Sequence, residues 1–275
     1  MYENILTEID AGVGIVTLNR ADRHNAFDDR TIVELIDALG AMEGNADVRV
    51  VVLSSTGKSF SAGADINWMK HAALQGMDDN LRDARNLAEM LRRIAQLSKP
   101  TVARIQGPAY GGGVGVVAAC DIAVATFDAQ FALTEVKLGI IPSAISPHVI
   151  AAIGERYARR YMLTAERFSA AEAYRIGLVH EIVADVAALD EAVGQIVDTL
   201  LKNGPKAIAA CKTLIGAVAG QPLSAELIED TSRRIAEIRT TDEAREGMAA
   251  FLEKRKPSWQ TALDAEGAET QRTQR

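Results

Sequence analysis

The sequence predicts an α/β fold: a mainly parallel sheet in the first part of the chain, followed by a helical C-terminal extension. Three observations predict it. Short β-branched runs alternate with helical stripes in the first half, the second half carries helical stripes almost alone, and two glycine-rich stretches directly follow strand candidates.

In order along the chain, the strand candidates are Ile15–Leu18, Val50–Leu53, Thr101–Ile105 and Ile122–Ala125, each bounded by Gly, Pro, Asn or Asp. Between them, Ile32, Leu35, Ile36, Leu39 and Met42 recur at helical spacing, as do Ala84, Leu87, Leu91 and Ile94. Strands separated by helices imply right-handed crossovers and parallel pairing, with a hairpin compatible with the opening pair of runs. Leu189, Ala192, Val193, Ile196, Val197 and Leu200 form one clean stripe. Further helical patterns follow at about 205–219, 222–238 and 241–253, the last with Thr240-x-x-Glu243 as its capping box. The expected organisation is an α/β core over 1–200, a helical extension over 201–259 involved in oligomerisation, and a disordered tail over 260–275, which is polar and aperiodic.

Composition excludes several classes. With 275 residues, 48% of them hydrophobic, the chain buries a core without staples. A net charge of -7 argues against nucleic acid, because phosphate-backbone binding needs clustered cations. Two cysteines, Cys120 and Cys211, form neither a disulfide framework nor a zinc spacing. The acidic start MYENILTEID is unlike a signal peptide, and no run reaches the roughly 18 apolar residues of a membrane span, so a cytoplasmic location is expected.

Two stretches can carry chemistry. Gly107 to Asp121 follows a strand and opens an apolar helix, so its glycines can expose backbone N–H groups at a helix N-terminus. Gly113-x-Gly115-x-x-Ala118, with Glu135 further on, matches a dinucleotide fingerprint, but Gln106 to Gly112 separate it from the strand where the first glycine should close the turn. Close helix packing is the competing use of those glycines. Lys58 to Met69 likewise follows a strand with small residues. Two donor loops after separate strands are what an oxyanion hole requires.

Phe60-Ser-Ala-Gly-Ala-Asp65, Gly107-x-x-x-Gly-Gly-Gly113, Cys120-Asp121 and Phe131-x-x-x-Glu135-x-x-x-Gly139-x-x-Pro142 occur in order. This set resembles the crotonase family, the enoyl-CoA hydratase/isomerase superfamily. Asn19-Arg-x-x-x-x-Asn25-Ala26 is similar to its CoA loop, and Phe251-Leu-Glu-Lys254-Arg-Lys256-Pro257 to its C-terminal signature, so the resemblance covers nearly the whole chain. It implies a crotonase-like fold of the ClpP/crotonase type acting on acyl-CoA, with CoA as part of the substrate and no separate cofactor. By the same resemblance the N–H groups of Ala64 and Gly112 hold the thioester oxygen. Arg23, His24, Ala26, Ala62, Asp65 and Ile66 line the CoA path, and Phe251 and Lys254 reach CoA from a neighbouring subunit of a homotrimer or homohexamer.

The resemblance also implies that Glu135 is the proton carrier. It stands among apolar residues, where burial would raise its pKa; the competing use is an ion pair with Lys137 or a helix-start carboxylate. The family's best-known hydratases carry a second glutamate where this chain has Gly115. One carboxylate suits an enoyl-CoA isomerase, although its two oxygens can also take a proton from water and return one. A non-catalytic acyl-CoA-binding homologue is a further alternative. Ala64-Asp-Ile-Asn67-Trp68-Met69-Lys70 and Ile141 to Ile150, together with Gly115, are similar to a bacterial branch of methylglutaconyl-CoA or carboxygeranoyl-CoA hydratases of branched-chain and terpenoid catabolism. A carboxylated acyl group would need donors, for which Ser143, Ser146 and His148 are candidates; Ser146 before Pro147 also reads as a helix N-cap. His71 and His180 lack partners at metal spacing, no metal site is expected, and without G-x-S-x-G a serine hydrolase is disfavoured.

Overall fold

A computed structural model describes residues 2–260. The chain opens with β1 (Ile5–Asp10) and β2 (Val13–Leu18), which pair antiparallel as a hairpin. Then come α1 (Asp29–Gly44), β3 (Val50–Ser55), α2 (Ile66–Ala72), α3 (Met77–Gln96) and β4 (Thr101–Ile105). The short β5 (Ala109–Tyr110) leads into α4 (Gly112–Ala119), β6 (Ile122–Thr126) and β7 (Gln130–Ala132). After a 3-10 turn at Glu135–Leu138 follow α5 (Ser146–Thr164), β8 (Phe168–Ser169), α6 (Ala170–Arg175) and β9 (Glu181–Val183). Helices α7 (Val186–Leu201), α8 (Pro205–Val218), α9 (Ala225–Arg239) and α10 (Asp242–Leu252) complete the fold.

The main sheet has the order β1-β2-β3-β4-β6-β9, parallel throughout except for the opening hairpin. Strand alternation assigns its two faces. Val51, Leu53, Ala103, Ile105, Ala123 and Ala125 face one core with α1, α3, α4 and α5. Val50, Val52, Val102 and Val124 face the other way, against the stripe Leu189, Ala192, Val193 and Val197 of α7. All six residues of β3 are therefore buried, as expected of a central parallel strand. A small sheet β5-β7-β8 stands beside the main one and carries the glycine stretch to the start of α4.

Helix α8 docks on the core through Lys212, whose Nζ is 2.6 Å from Asp121 Oδ2, and the same carboxylate oxygen accepts from the Thr101 N–H and hydroxyl. The expected capping box does not form, and the N-cap lies one residue later. Thr240 closes α9; Thr241 caps α10 by accepting from the Ala244 N–H; Glu243 instead accepts from the N–H groups of Lys206 and Ala207 at the start of α8. The expected N-cap at Ser146 also differs: Pro147 lies in the first turn of α5, but the Ser146 hydroxyl donates to the Ser143 carbonyl. The expected tail lies outside the described residues except for Gln260. No described helix is long and apolar enough to cross a membrane.

Candidate active site

The first donor arises from how the chain between β3 and α2 is pinned. Phe60 and Ser61 donate their N–H groups to the Pro108 carbonyl, and Tyr110 returns one to Ser61. Ser61 is wholly buried, with its hydroxyl donating to the Asn25 carbonyl. Gly63 takes a φ of +85°, and a Cβ there would lie 2.8 Å from the Tyr110 carbonyl oxygen, so only glycine fits. Phe27 then brackets the next residue. Its N–H donates to Gly63 O at 2.7 Å and its carbonyl accepts from the Asp65 N–H at 2.8 Å. In that parallel bridge the N–H of Ala64 must point away from Phe27, and among the described residues it donates to nothing.

The second donor begins α4. The Gly111 N–H is bound to the Ala132 carbonyl, whereas the Gly112 N–H has no acceptor among the described residues and stands at the positive end of the helix. A Cβ on Gly63 would be 3.5 Å from Gly112 N, so the two loops touch where their free donors lie. Both uses foreseen for the glycine cluster are realised. Gly113 packs on the Ser61 carbonyl oxygen and Gly115 on Ile145, while Gly112 leaves its N–H open.

Glu135 faces these donors from the 3-10 turn: a Cβ on Gly111 would be 3.2 Å from its Oε1. Desolvation by burial raises its pKa, only partly offset by a hydrogen bond to its own backbone N–H. Its Oε2 is buried without a partner, and among the described residues it forms no ion pair, with Lys137 or otherwise. A half-buried carboxylate with a free oxygen in a mostly apolar cavity is suited to moving protons. The cavity, of about 320 Å³, is lined by Ala62, Ala64, Gly112 and Glu135, and closed by apolar groups such as Leu87, Leu138 and Ile141. Of the three candidates for a polar acyl group, Ser143 lines it; Ser146 and His148 do not. His180 has a structural part, its Nδ1 accepting from the Ala123 N–H.

The residues expected along the CoA path are only partly gathered. Arg23 and Asp65 line an outer cleft of about 750 Å³, which shares Trp68 and Asp83 with the inner cavity. His24 and Ile66 line neither space, and Ala26 is buried; His24 instead places its Nδ1 3.0 Å from the Ser59 hydroxyl and its carbonyl on the Ala62 N–H. The Asp65 carboxylate is used within the fold, capping α2 and pairing with Arg20 at 3.2 Å. Burial alone would raise the Asp65 pKa, but the N–H groups of Asn67 and Trp68 and the Arg20 charge hold it below the usual range. Phe251, 83% exposed, and Lys254 line neither space of their own chain. Arg20, Trp68 and Asp83 are not among the site residues predicted from sequence; Arg20 carries a signal as part of the Asn19-Arg motif and Trp68 as part of Asn67-Trp68-Met69-Lys70, whereas Asp83 carries none.

A family model described as enoyl-CoA hydratase/isomerase matches residues 8–262. A relative from Thermus thermophilus, "Putative enoyl-CoA hydratase", is 35% identical over 92% of this chain and 99% of its own length. Among solved structures, an enoyl-CoA hydratase from Shewanella pealeana superposes with a TM-score of 0.91 at 42% identity, covering 94% of this chain and 96% of its own. Pseudomonas aeruginosa AtuE gives 0.89 at 38%, covering 94% and 99%. With the fold, the paired donors and the buried carboxylate all in place, the chain belongs to the enoyl-CoA hydratase/isomerase family and has the crotonase fold.

Proposed function

We propose that the protein is an enoyl-CoA hydratase that adds water syn across the double bond of a 2-enoyl-CoA thioester. The observation that carries this reading is a carboxylate with a buried, unpartnered oxygen, Glu135 Oε2, beside two unengaged backbone donors. Water attacks the β-carbon while Glu135 takes its proton, and the displaced electron pair moves to the thioester oxygen between the N–H groups of Ala64 and Gly112. The enolate then collapses, drawing the proton from Glu135 to the α-carbon. One carboxylate thus returns to its starting state, and each elementary proton transfer needs one of its oxygens. Preset donors in a water-poor site lower the barrier by about 2.7–4 kcal/mol each.

A second reading, migration of the double bond from the 3- to the 2-position, is favoured by one observation. The position that would carry a second acid, Gly115, is closed by Ile145. Mass analysis after incubation with 2-enoyl-CoA and 3-enoyl-CoA thioesters separates the two. Hydration adds the mass of one water, and isomerisation changes no mass. If neither substrate is converted, the protein is an acyl-CoA-binding homologue.

Branched acyl groups of the methylglutaconyl type are the finer proposal. Trp68 and Met69 of the motif that suggested them both line the cavity, together with Ser143. The described lining has no Arg, Lys or His, so a distal carboxylate would be held by neutral donors such as the Ser143 hydroxyl. Comparing methylglutaconyl-CoA with crotonyl-CoA tests this. The homotrimer or homohexamer stays a proposal, supported by exposed Ile228, Ile235, Phe251 and Leu252 on α9 and α10, and tested by light scattering. The same status holds for a cytoplasmic location and for CoA as part of the substrate in place of a separate cofactor.

A further inference from the structure

We propose that Arg20 is a positioning residue for the oxyanion hole: its guanidinium ties the 20–28 loop to Asp65, so that the Ala64 N–H is aimed before substrate arrives. The proposal rests on the reading of Ala64 as a donor. Arg20 is largely buried and touches three acceptors at once: Nη1 donates to the Ala26 carbonyl at 2.5 Å, and Nη2 lies 3.0 Å from Asp28 Oδ2 and 3.2 Å from Asp65 Oδ2. These three residues surround the bridge that orients Ala64. Ala26 precedes Phe27, Asp28 follows it, and Asp65 donates its own N–H to the Phe27 carbonyl. Asp65 also accepts from Asn67 N–H at 2.8 Å, so its carboxylate fixes the start of α2 at the same time.

The loop itself is held in an uncommon shape. His24 and Asn25 both adopt left-handed backbone angles, with φ of 51° and 53°. Asn25 compensates through its buried side chain, which accepts from the Arg20 N–H and donates to the carbonyls of Thr56 and Ser59. The loop is therefore a rigid brace. A planar fork with several fixed donors can serve three oxygens in one geometry, whereas a lysine ammonium on a flexible stem can hold the charge but not all three angles. A misplacement of an ångström at a reacting centre costs about 100-fold in rate.

The test uses Arg20→Gln and the milder Arg20→Lys, with an aryl-acryloyl-CoA whose absorption moves to longer wavelength when its carbonyl is polarised. Expected are a loss of that spectral shift in Arg20→Gln, a partial loss in Arg20→Lys, and free CoA bound as tightly as by the wild type. With crotonyl-CoA, kcat should fall by about 100-fold in Arg20→Gln while KM changes by less than about 3-fold. A full spectral shift in both variants would overturn the proposal, as would a shift lost only in step with free CoA affinity, which would make Arg20 a CoA contact. If Arg20→Gln does not fold, Arg20→Lys decides on the same criteria. A wild-type protein that shifts the spectrum but adds no water would refute hydration and leave the positioning role standing.

Discussion

Ile145 occupies the space that any side chain at position 115 would need. A Cβ built on Gly115 lies 2.3 Å from Ile145 Cγ2, with Leu91 Cδ1 at 3.6 Å behind it. Ile145 is 2% exposed and lines the inner cavity, so to withdraw it would have to move into the space where the acyl group is proposed to lie. Gly115→Glu should therefore not create a two-carboxylate site. Expected are a lower melting temperature and reduced turnover of crotonyl-CoA, with overpacking alone costing about 1–3 kcal/mol. The double variant Gly115→Glu/Ile145→Ala should recover part of both; equal melting temperatures for wild type and Gly115→Glu would contradict this packing.

Gly112 tests the second donor. A Cβ there meets Phe27 Cδ2 at 3.3 Å, so Gly112→Ala should be tolerated with a small adjustment of the ring. Gly112→Val drives its branches into the Phe27 ring, whose backbone brackets Ala64, and by disturbing the paired donors should lower kcat/KM by about 100- to 1000-fold, the usual cost of losing one oxyanion donor. Ala64→Gly, which keeps the N–H, should be mild. Steady-state kinetics of all three on one thioester suffices.

Glu135→Gln should abolish turnover, by a factor of about 100 to 10,000, while acyl-CoA affinity by calorimetry remains close to wild type. The nucleotide end of the substrate supplies binding remote from the reacting carbons. Appreciable turnover in this variant would exclude Glu135 as the proton carrier.

The same residue sets a pH dependence of known sign. Burial raises the folded-state pKa of Glu135 above its unfolded value, so the folded protein holds that proton more firmly. Its contribution to stability is largest below the unfolded pKa and is lost as pH rises through the raised folded value. Glu135→Gln, which never ionises, should accordingly melt at a higher temperature than wild type at neutral pH, with the gap closing in acid. In the active enzyme the acid limb of kcat/KM should have its inflection above the usual carboxylate range.

Asp121 joins three parts of the chain, and its removal should cost more than removal of its cation. Asp121→Ala strips the Thr101 N–H and hydroxyl of their acceptor, at about 1–3 kcal/mol per buried donor left unpaired, and leaves Lys212 with the Lys99 carbonyl. Lys212→Met keeps the Thr101 contacts and should be milder. Urea titration of both variants would show the order, and a reversed order would place the anchoring of α8 elsewhere.

Much of this was legible beforehand, for identifiable reasons. Thr101–Ile105 was read from β-branched content with its bounds intact, and α7 from the Leu189 to Leu200 stripe, because both bury a face with the period of their own element. The two-residue strands β5 and β8 left no periodic signal. The spacing of Glu243 predicts a partner for its own helix, but its contact, with Lys206 and Ala207, is made across the fold and leaves no local signal. Within the site, Glu135, Ala64 and Gly112 came from ordered motifs. Asp83 did not, and the Trp68 motif does not place its ring between the two spaces, since what puts both residues on a shared wall is how α2 and α3 pack, not their sequence neighbours.

On the proposed reading the hole is built from peptide amides held by Phe27 and by the start of α4, and amides carry no charge to gain or lose across the working pH range. Polarisation of the thioester is thus constant where proton transfer is not. The protein separates holding its substrate ready from converting it: in acid, where Glu135 is protonated and cannot accept a proton from water, the bound thioester should be as activated as ever and merely wait. A bound substrate could therefore be trapped by lowering the pH and released into reaction by raising it, with no change in the groups that grip its carbonyl.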